Sequence, residues 1–221
     1  MEKILINELP ASLKSLVDAN KHVFKTLEDI MYVETYEENE SIFPFNEPVS
    51  KLHYLIDGKA KTNMIHEDGK RSIVSFLKPK EFIGELSLIG VDDEPKNIEA
   101  ISECVCLTVP IDLARERLLK DEEFLLMLTQ YIGRKLIRRT WYYMKSQNYP
   151  LKNRLAAYML MTEHKGFYSE KHTETAEFLG ISYRHLLHTL KQFDEEGLIE
   201  KNKKGYVLNM DALNDLARDF F

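Results

Sequence analysis

The sequence predicts an α+β fold, with an antiparallel jelly-roll barrel in the first half, then a long helix, and finally a winged helix–turn–helix. Short alternating runs separated by turn residues fill the first half. A long apolar stripe at helical spacing follows Asp121, and a helix–turn–helix pattern lies between residues 169 and 193. We therefore divide the chain into residues 1–120, 121–149 and 150–221.

Turn residues interrupt the first half at intervals typical of an antiparallel sheet. Lys51–Ile56, Lys59–His66 and Arg71–Leu77 alternate apolar and polar residues, and Asp57-Gly58 and Glu67-Asp68-Gly69 separate them. Many short strands at this spacing predict a barrel or sandwich of the jelly-roll kind over about residues 30–110.

Helices are predicted on both sides of the barrel sequence. Ala11–Ala19 and Val23–Ile30 precede the barrel, and Asp112–Leu119 is a short helix after it. A longer helix opens at Asp121, where the first turn is acidic as helix N-termini favour, and it runs to about Ser146.

The long helix carries an apolar stripe at i+3 and i+4 spacing. Its members are Leu125, Leu128, Ile132, Leu136 and Tyr143, with Arg139 as a polar interruption. The stripe could pack on the barrel, or it could form the seam of a two-helix dimer. A neighbouring helix–turn–helix favours the dimer, because two recognition helices about 34 Å apart can read a palindrome. Pro150 biases the preceding residue away from helix, so we expect a hinge at residues 148–150.

The stretch after the hinge has the pattern of a helix–turn–helix. Gly180 permits the left-handed turn between two helices, and Ser182 is a natural N-cap for the second. Leu186, Leu190 and Phe193 repeat at helical spacing and should be buried. The opposite face would then present the candidate DNA-contacting residues Ser182, Tyr183, Arg184, His185, His188 and Lys191.

A basic turn follows the second helix. Residues 198–208 are typical of two short strands with Asn202–Gly205 at the tip. Lys201, Lys203 and Lys204, beside a recognition helix, suit contacts to DNA phosphates. From Pro150 onward there are 10 Lys and Arg against 11 Asp and Glu. DNA binding would therefore depend on a local basic patch and be sensitive to salt.

Composition excludes several classes of protein. The chain has 221 residues, a net charge of −6, two cysteines, no apolar run of membrane-spanning length and no signal-peptide pattern. We therefore predict a cytoplasmic protein without membrane contact or a disulfide framework. No nucleophile elbow, phosphate-cradling glycine loop or metal-ligand set occurs, which predicts a non-enzyme without a metal or cofactor site. His185 and His188 are more typical of polar contacts to DNA than of a metal site.

Several motifs occur in the order typical of one family. They are Leu52–Ala60, Glu81–Leu88, Asn153–Ala156 and the helix–turn–helix. With them the chain resembles the cyclic-AMP receptor protein / fumarate–nitrate regulator (CRP/FNR) superfamily over nearly its whole length. The resemblance implies a cyclic-nucleotide-binding-like sensor, a dimerisation helix and a DNA-binding domain. It also implies a homodimeric transcription regulator that binds a palindromic operator in double-stranded DNA and works with RNA polymerase.

The resemblance also indicates where an effector would bind. In cyclic-nucleotide binders of the family, a Phe-Ile-Gly-Glu loop supplies a glutamate for the ribose hydroxyl, and a later arginine pairs with the cyclic phosphate. Glu85 matches the glutamate, but the arginine position falls on or near Glu94 in a loop one residue shorter, and Pro95 removes an amide donor. The candidate effector-pocket residues are Gly84, Glu85, Leu86, Lys96, Arg138, Arg139 and Thr140. We expect no tight cyclic-AMP binding and leave the effector open, with Phe82–Glu85 as either an effector loop or a barrel turn retained for folding.

Cys104 and Cys106 raise the question of redox sensing. Two thiolates are too few for an intrachain iron–sulfur cluster, which generally needs four. Both side chains should share one face of a strand, either as buried small hydrophobes or as a pair that oxidises. Two other functions also stay open: a cyclic-nucleotide-binding regulatory module, and a winged helix that binds protein instead of DNA.

Overall fold

The structure is a computed structural model that describes residues 1–45, 47–65, 71–92, 96–218 and 220, without the side chains of residues 65, 71, 72 and 146. The predicted turn at residues 67–69 and the loop positions Glu94 and Pro95 lie outside the described residues. The chain forms two compact units, one of Met1–Ile65 with Ser75–Ile132 and one of His66–Val74 with Gly133–Phe221. The three-segment division of the chain stays a prediction.

Antiparallel strands build the first unit. They are β1 (Glu2–Leu5), β2 (Tyr32–Tyr36), β3 (Ser41–Phe43), β4 (Lys51–Asp57), β5 (Ala60–Ile65), β6 (Arg71–Leu77), β7 (Glu81–Ile83), β8 (Asn97–Ala100) and β9 (Cys104–Pro110). One sheet has the order β1-β2-β9-β4-β7 and the other the order β3-β8-β5-β6. Strands close in sequence thus often lie in different sheets, as in a jelly roll, and the predicted antiparallel barrel is confirmed.

The two faces of the five-stranded sheet belong to different cores. On the inner face, Tyr36 and Cys106 pack with Ile98 of the opposite sheet. On the outer face, Val33 and Leu107 pack with the helices that flank the barrel. Successive side chains of a strand point to opposite faces, so a strand with both faces covered is apolar along most of its length. This explains why the alternation in the sequence is imperfect.

Both cysteines lie in the inner core, on the same face of β9, as their spacing predicts. Cys104 Sγ lies 3.2 Å from the carbonyl oxygen of Lys59. Burial raises the pKa of Cys104 to about 12 and holds the pKa of Cys106 well above its ordinary value. Both thiols are therefore protonated at neutral pH, and a protonated buried thiol is a poor nucleophile and a poor metal ligand.

Helices cover the outer face of the five-stranded sheet. They are α1 (Ala11–Asn20), α2 (Glu85–Leu88), α3 (Ile111–Leu118) and the first part of the long α4 (Glu122–Asn148), with 3-10 turns at Ile6–Glu8 and Lys21–Leu27. The prediction of an α-helix over Val23–Ile30 was wrong, because this segment is a 3-10 helix that ends at Leu27 and kinks at Phe24. Phe24 and Leu27 are both fully buried, and their spacing of three residues matches one turn of a 3-10 helix.

Helix α4 divides the predicted dimer stripe into two parts. Leu128 is 2% exposed and packs with Ile132 against the outer core of the barrel. This corrects the assignment of Leu128 to a dimer seam, because the barrel already buries this side chain. Leu125 is half-buried. Leu136 and Tyr143 are each 65% exposed, and a dimer seam at this end of the helix stays a prediction.

The second unit contains the remaining elements. They are α5 (Leu151–Thr162), β10 (Phe167–Tyr168), α6 (His172–Leu179), α7 (Tyr183–Glu195), β11 (Ile199–Lys201), β12 (Tyr206–Leu208) and α8 (Met210–Ala217). Its three strands form a small sheet of order β10-β12-β11. Helix α4 ends at Asn148 and α5 begins after Pro150, so a helix break lies at the predicted hinge. In the part of the chain that is described, no helix combines the length and apolar character needed to cross a membrane.

Candidate nucleic-acid interface

The turn between α6 and α7 sets the direction of the second helix. Gly180 adopts φ 65° and ψ 39°, a left-handed conformation that glycine takes without strain. The amide of Ile181 then donates to the carbonyl of Ala176 at 3.0 Å, which closes the end of α6. Ser182 caps α7, because its hydroxyl accepts from the amide of His185 at 3.2 Å. The turn and the cap have the positions that the sequence predicts.

The outer face of α7 carries the predicted DNA-contacting side chains. Leu186, Leu190 and Phe193 are buried, as their spacing predicts. The exposed residues of the first two turns are Tyr183, Arg184, His185, Leu187 and His188, with Lys191 following them. The sequence pattern did not single out Leu187, which is exposed in the structure. Leu187 lies about 100° around the helix axis from Leu186, and this angle distinguishes an exposed position from a buried one.

Two of the exposed side chains pair within the helix. The Gln192 amide nitrogen lies 3.2 Å from Nε2 of His188, and Lys191 Nζ lies 3.4 Å from the Glu195 carboxylate. Exposed pairs of this kind contribute only a few tenths of a kcal/mol. A phosphate or a base edge can therefore replace either partner at little energetic cost.

The wing places lysines beside α7. Strand β11 pairs with β12 through Ile199 opposite Leu208 and Lys201 opposite Tyr206. At the tip, the Asn202 side chain accepts from the amides of Lys204 at 2.8 Å and Gly205 at 3.1 Å. Lys201, Lys203 and Lys204 are all exposed. Gly205 is required by packing, because a Cβ there would lie 2.2 Å from the carbonyl oxygen of Tyr168.

An aromatic contact joins the wing to the recognition helix. The ring of His172, at the start of α6, lies 5.8 Å from that of Tyr206 and 6.3 Å from that of Tyr183. Tyr206 Oη is also 3.3 Å from His172 Nε2. Burial, helped by the charge of Lys201, lowers the pKa of His172. The sequence did not predict this contact, because it joins residues 34 apart in the chain.

Replacing Ser182 with alanine should destabilise the first turn of α7 by about 1 kcal/mol, because the His185 amide would lose its acceptor. Tyr183 and Arg184 lie in this turn, so affinity for DNA should fall together with the melting temperature. Thermal unfolding and DNA titration measure the two effects. Ser182→Thr keeps a hydroxyl acceptor and should retain most of both. An alanine variant with wild-type melting and affinity would contradict a capping role for Ser182.

The candidate effector residues of the first unit surround the short helix α2. Gly84 precedes it with φ 93°, Glu85 is 4% exposed and Leu86 is half-buried. Lys96 forms an ion pair with Asp92, whose carboxylate lies 2.6 Å from its Nζ. Arg115 of α3 donates to the carbonyl of Ser87 at 2.7 Å and so ties the end of α2 to α3. The carboxylate of Asp92 therefore already occupies a position beside the Lys96 ammonium group.

The other effector candidates lie on α4 in the second unit. Arg138, Arg139 and Thr140 are exposed there. The Thr140 hydroxyl donates to the carbonyl of Leu136 at 3.0 Å, a bond within its own helix. Across the described ranges, His, Cys, Asp and Glu side chains do not gather in groups of three that could hold a metal ion.

A buried charged network lies inside the barrel, and the sequence pattern did not predict it. Glu34 of β2 is 1% exposed, and its carboxylate accepts from Lys51 Nζ at 2.6 Å and from Tyr36 Oη at 2.7 Å. His53 of β4 is fully buried, with Nδ1 2.7 Å from Thr108 Oγ1. Burial and the charge of Lys51 lower the pKa of His53 to about 3. Buried charges need such partners, since an unpaired carboxylate in the core costs several kcal/mol.

Two domain families match separate parts of the chain. The cyclic nucleotide-binding domain matches residues 33–121. The Crp-like helix-turn-helix domain matches residues 153–216. The first range covers the barrel from β2 to α3, and the second covers the turn at Gly180, α7 and the wing.

Individual proteins match over most of the chain. The regulatory protein YeiL of Escherichia coli O157:H7 is 43% identical over 169 residues, which cover 76% of this chain and 77% of that protein. The HTH-type transcriptional regulator ArcR of Staphylococcus epidermidis is 22% identical over 219 residues, covering 93% and 95%. The crystal structure of a CRP-family transcriptional regulator from Thermus thermophilus superposes with a TM-score of 0.67 at 21% identity, covering 84% of this chain and 96% of that one. Such regulators are not enzymes, and the chain belongs to the CRP/FNR family of transcription regulators.

Proposed function

We propose that the protein is a homodimeric regulator that binds a palindromic DNA operator sequence-specifically, without needing cyclic AMP. The exposed face of α7 carries this proposal. Tyr183, Arg184 and His188 offer donors and acceptors that can read base edges, with Arg184 suited to guanine. The wing lysines lie beside this face and can neutralise phosphates, which supplies affinity without sequence information.

Dimerisation is supported by the exposed apolar side chains of α4. They are Leu136, Ile137, Trp141, Tyr143 and Met144, each at least half exposed. Helical spacing brings them to neighbouring positions on one side of the helix, where a second copy of α4 could bury them. Two recognition helices about one DNA turn apart would then read two half-sites. This arrangement also supplies the contact area that one small winged helix lacks.

Independence from cyclic AMP is supported by the residues around α2. A cyclic phosphate needs a cation, and Lys96 already pairs with Asp92. Glu85 is 4% exposed, so little of its carboxylate surface is open to a ribose hydroxyl. We propose that the sensor domain biases the geometry of DNA binding through another effector or through none. RNA polymerase as a partner and a cytoplasmic location belong to the same proposal.

Selection of random duplex DNA by the ligand-free protein under reducing conditions tests this function. We expect enrichment of a two-fold symmetric site with half-site centres about one helical turn apart. Addition of cyclic AMP should leave both the selected site and the affinity unchanged. Enrichment only with cyclic AMP would contradict independence from this nucleotide. A failure to enrich any sequence, with or without cell-extract metabolites, would contradict sequence-specific DNA binding.

Arg184→Ala should weaken binding to the selected site by about 5- to 150-fold, the equivalent of about 1–3 kcal/mol for one bidentate base contact. The preference at one base pair per half-site should relax, while the other positions keep theirs. Repeating the selection with the variant measures this change directly.

Lys203→Ala is the matched control for Arg184→Ala. It removes a charge at the wing tip, so it should weaken binding to all sequences alike. The dependence of log affinity on log salt should become shallower by about 0.9 for each phosphate that the variant no longer neutralises. An Arg184→Ala protein that selects the wild-type site would refute base reading by Arg184.

A further inference from the structure

One exposed side chain on the DNA-facing side of α7 is apolar. Leu187 is 39% exposed. It follows Tyr183 by four residues and Arg184 by three, and it precedes Lys191 by four. Residues at these spacings are neighbours on a helix surface, so Leu187 lies among the side chains proposed to contact DNA. Its chemistry differs from theirs, since it offers no donor and no acceptor.

Leu187 is not part of the buried core of the second unit. The buried stripe of α7 consists of Leu186, Thr189, Leu190 and Phe193, and Leu187 points away from it. An apolar side chain on a surface that approaches DNA must lose water when the complex forms. Placing it against the donors and acceptors of base edges would leave those groups without water or a partner, which is unfavourable.

The major groove offers one apolar group that fits such a side chain. Guanine, cytosine and adenine expose nitrogen and oxygen atoms there, whereas thymine also exposes its C5 methyl group. We propose that Leu187 reads a thymine by packing against this methyl. The proposal rests on the proposed DNA-binding function and adds one element of sequence recognition to it.

The position of Leu187 also indicates where the thymine should lie. Three residues of helix rise about 4.5 Å, which is close to the separation of about 3.4 Å between successive base pairs on one strand. Leu187 should therefore contact a base pair next to the one that Arg184 reads. Each half-site of the operator should contain a T·A pair beside the guanine recognised by Arg184.

Replacement of thymine by deoxyuridine tests the proposal, because it removes the methyl group and keeps the base-pairing edge. In the selected operator, each thymine is replaced in turn, and the affinity of the full-length protein is measured by titration. For the wild-type protein, one position per half-site should lower the affinity about fourfold, and about 16-fold when both half-sites are changed, as expected for one buried methyl group at each. Other thymines outside this contact should tolerate the change.

Variants of Leu187 assign the effect to this side chain. Leu187→Ala should bind thymine and deoxyuridine operators equally, whereas Leu187→Met should keep most of the discrimination. Leu113→Ala removes another exposed leucine, in α3 of the sensor unit, and should discriminate as the wild type does. Because Leu187 lies outside the buried stripe, its variants should keep the wild-type melting temperature.

The outcomes separate this inference from the proposed function. Equal wild-type affinity for every thymine and deoxyuridine operator would overturn the role of Leu187 while leaving DNA binding intact. If the Leu187→Ala protein still discriminates between thymine and deoxyuridine operators, another residue makes the methyl contact. This result would also overturn the role of Leu187. If no DNA sequence is selected at all, the proposed function fails and this inference fails with it.

Discussion

Replacing Lys51 with methionine should lower the free energy of unfolding by about 3 kcal/mol, because it leaves a buried carboxylate without its cation. Glu34 is 1% exposed, and Lys51 Nζ lies 2.6 Å from Glu34 Oε1. The expected value is at the lower end of the usual range for two reasons. The Lys51 side chain is 28% exposed, and Tyr36 still donates to the carboxylate at 2.7 Å. Urea unfolding measures the loss, and hydrogen exchange of β2, β4 and β9 localises it.

A second substitution distinguishes the effect of the ion pair from that of the lysine side chain itself. Lys51→Met combined with Glu34→Gln removes both charges, so it should recover much of the stability that the single substitution loses. Lys14→Met, at an exposed site of α1, is the control for replacing a lysine by methionine and should change stability by less than about 0.5 kcal/mol. A single Lys51→Met variant as stable as the wild type would mean that Glu34 does not depend on Lys51.

The buried network bears on how the first unit folds. It joins β2, β4 and β9, three neighbouring strands of the five-stranded sheet, through side chains of their inner face. The positive charge of Lys51 matches the negative charge of Glu34 within this network. The buried Glu34 carboxylate therefore depends on side chains of the same sheet for its hydrogen bonds.

The helix–turn–helix was predictable because its signals are local. The left-handed turn at Gly180, the cap at Ser182 and the buried stripe of α7 depend on residues within a few positions of one another. The wing follows from a turn sequence between two short apolar runs. Each of these features is predicted by its own local sequence signal, and the features occur along the chain in the order of a winged helix–turn–helix. The general architecture therefore follows from the sequence pattern.

Features that depend on distant partners could not be predicted in the same way. Glu34 lies in β2 between Val33 and Thr35, and this local pattern does not indicate a buried ion pair. Only the pairing of β9 with both β2 and β4 brings Glu34 to Lys51. The stripe of α4 was equally ambiguous. A spacing of three and four residues suits both a barrel contact and a dimer seam, and the burial of Leu128 decided between them for that residue. Leu187 was not singled out from the sequence, although its position on the helix differs from that of the buried stripe.

The unfolding free energy should fall on acidification because of His53. An unfolded histidine takes up a proton below its ordinary pKa of about 6.5. The buried ring takes one up only near its lowered pKa of about 3. Between these two values the unfolded state binds more protons than the folded state, so stability decreases as the pH falls through this window. The contribution of His53 should be a loss of about 2 kcal/mol between pH 7 and pH 5, and of about 3 kcal/mol by pH 4.

Comparison of two variants isolates this contribution from that of the carboxylates. Glu34 lies 3.8 Å from His53 Nδ1 and would favour a protonated ring, but Lys51 sits closer to the same carboxylate and offsets its charge. His53→Gln has no group that titrates near neutral pH, so its stability should decrease less between pH 7 and pH 5 than that of the wild type. Tyr36→Phe keeps the imidazole and should retain the wild-type slope, whatever stability it loses at every pH. If the stability of His53→Gln depends on pH as that of the wild type does, the imidazole can take up a proton in the folded barrel. Burial would then not set the charge of His53.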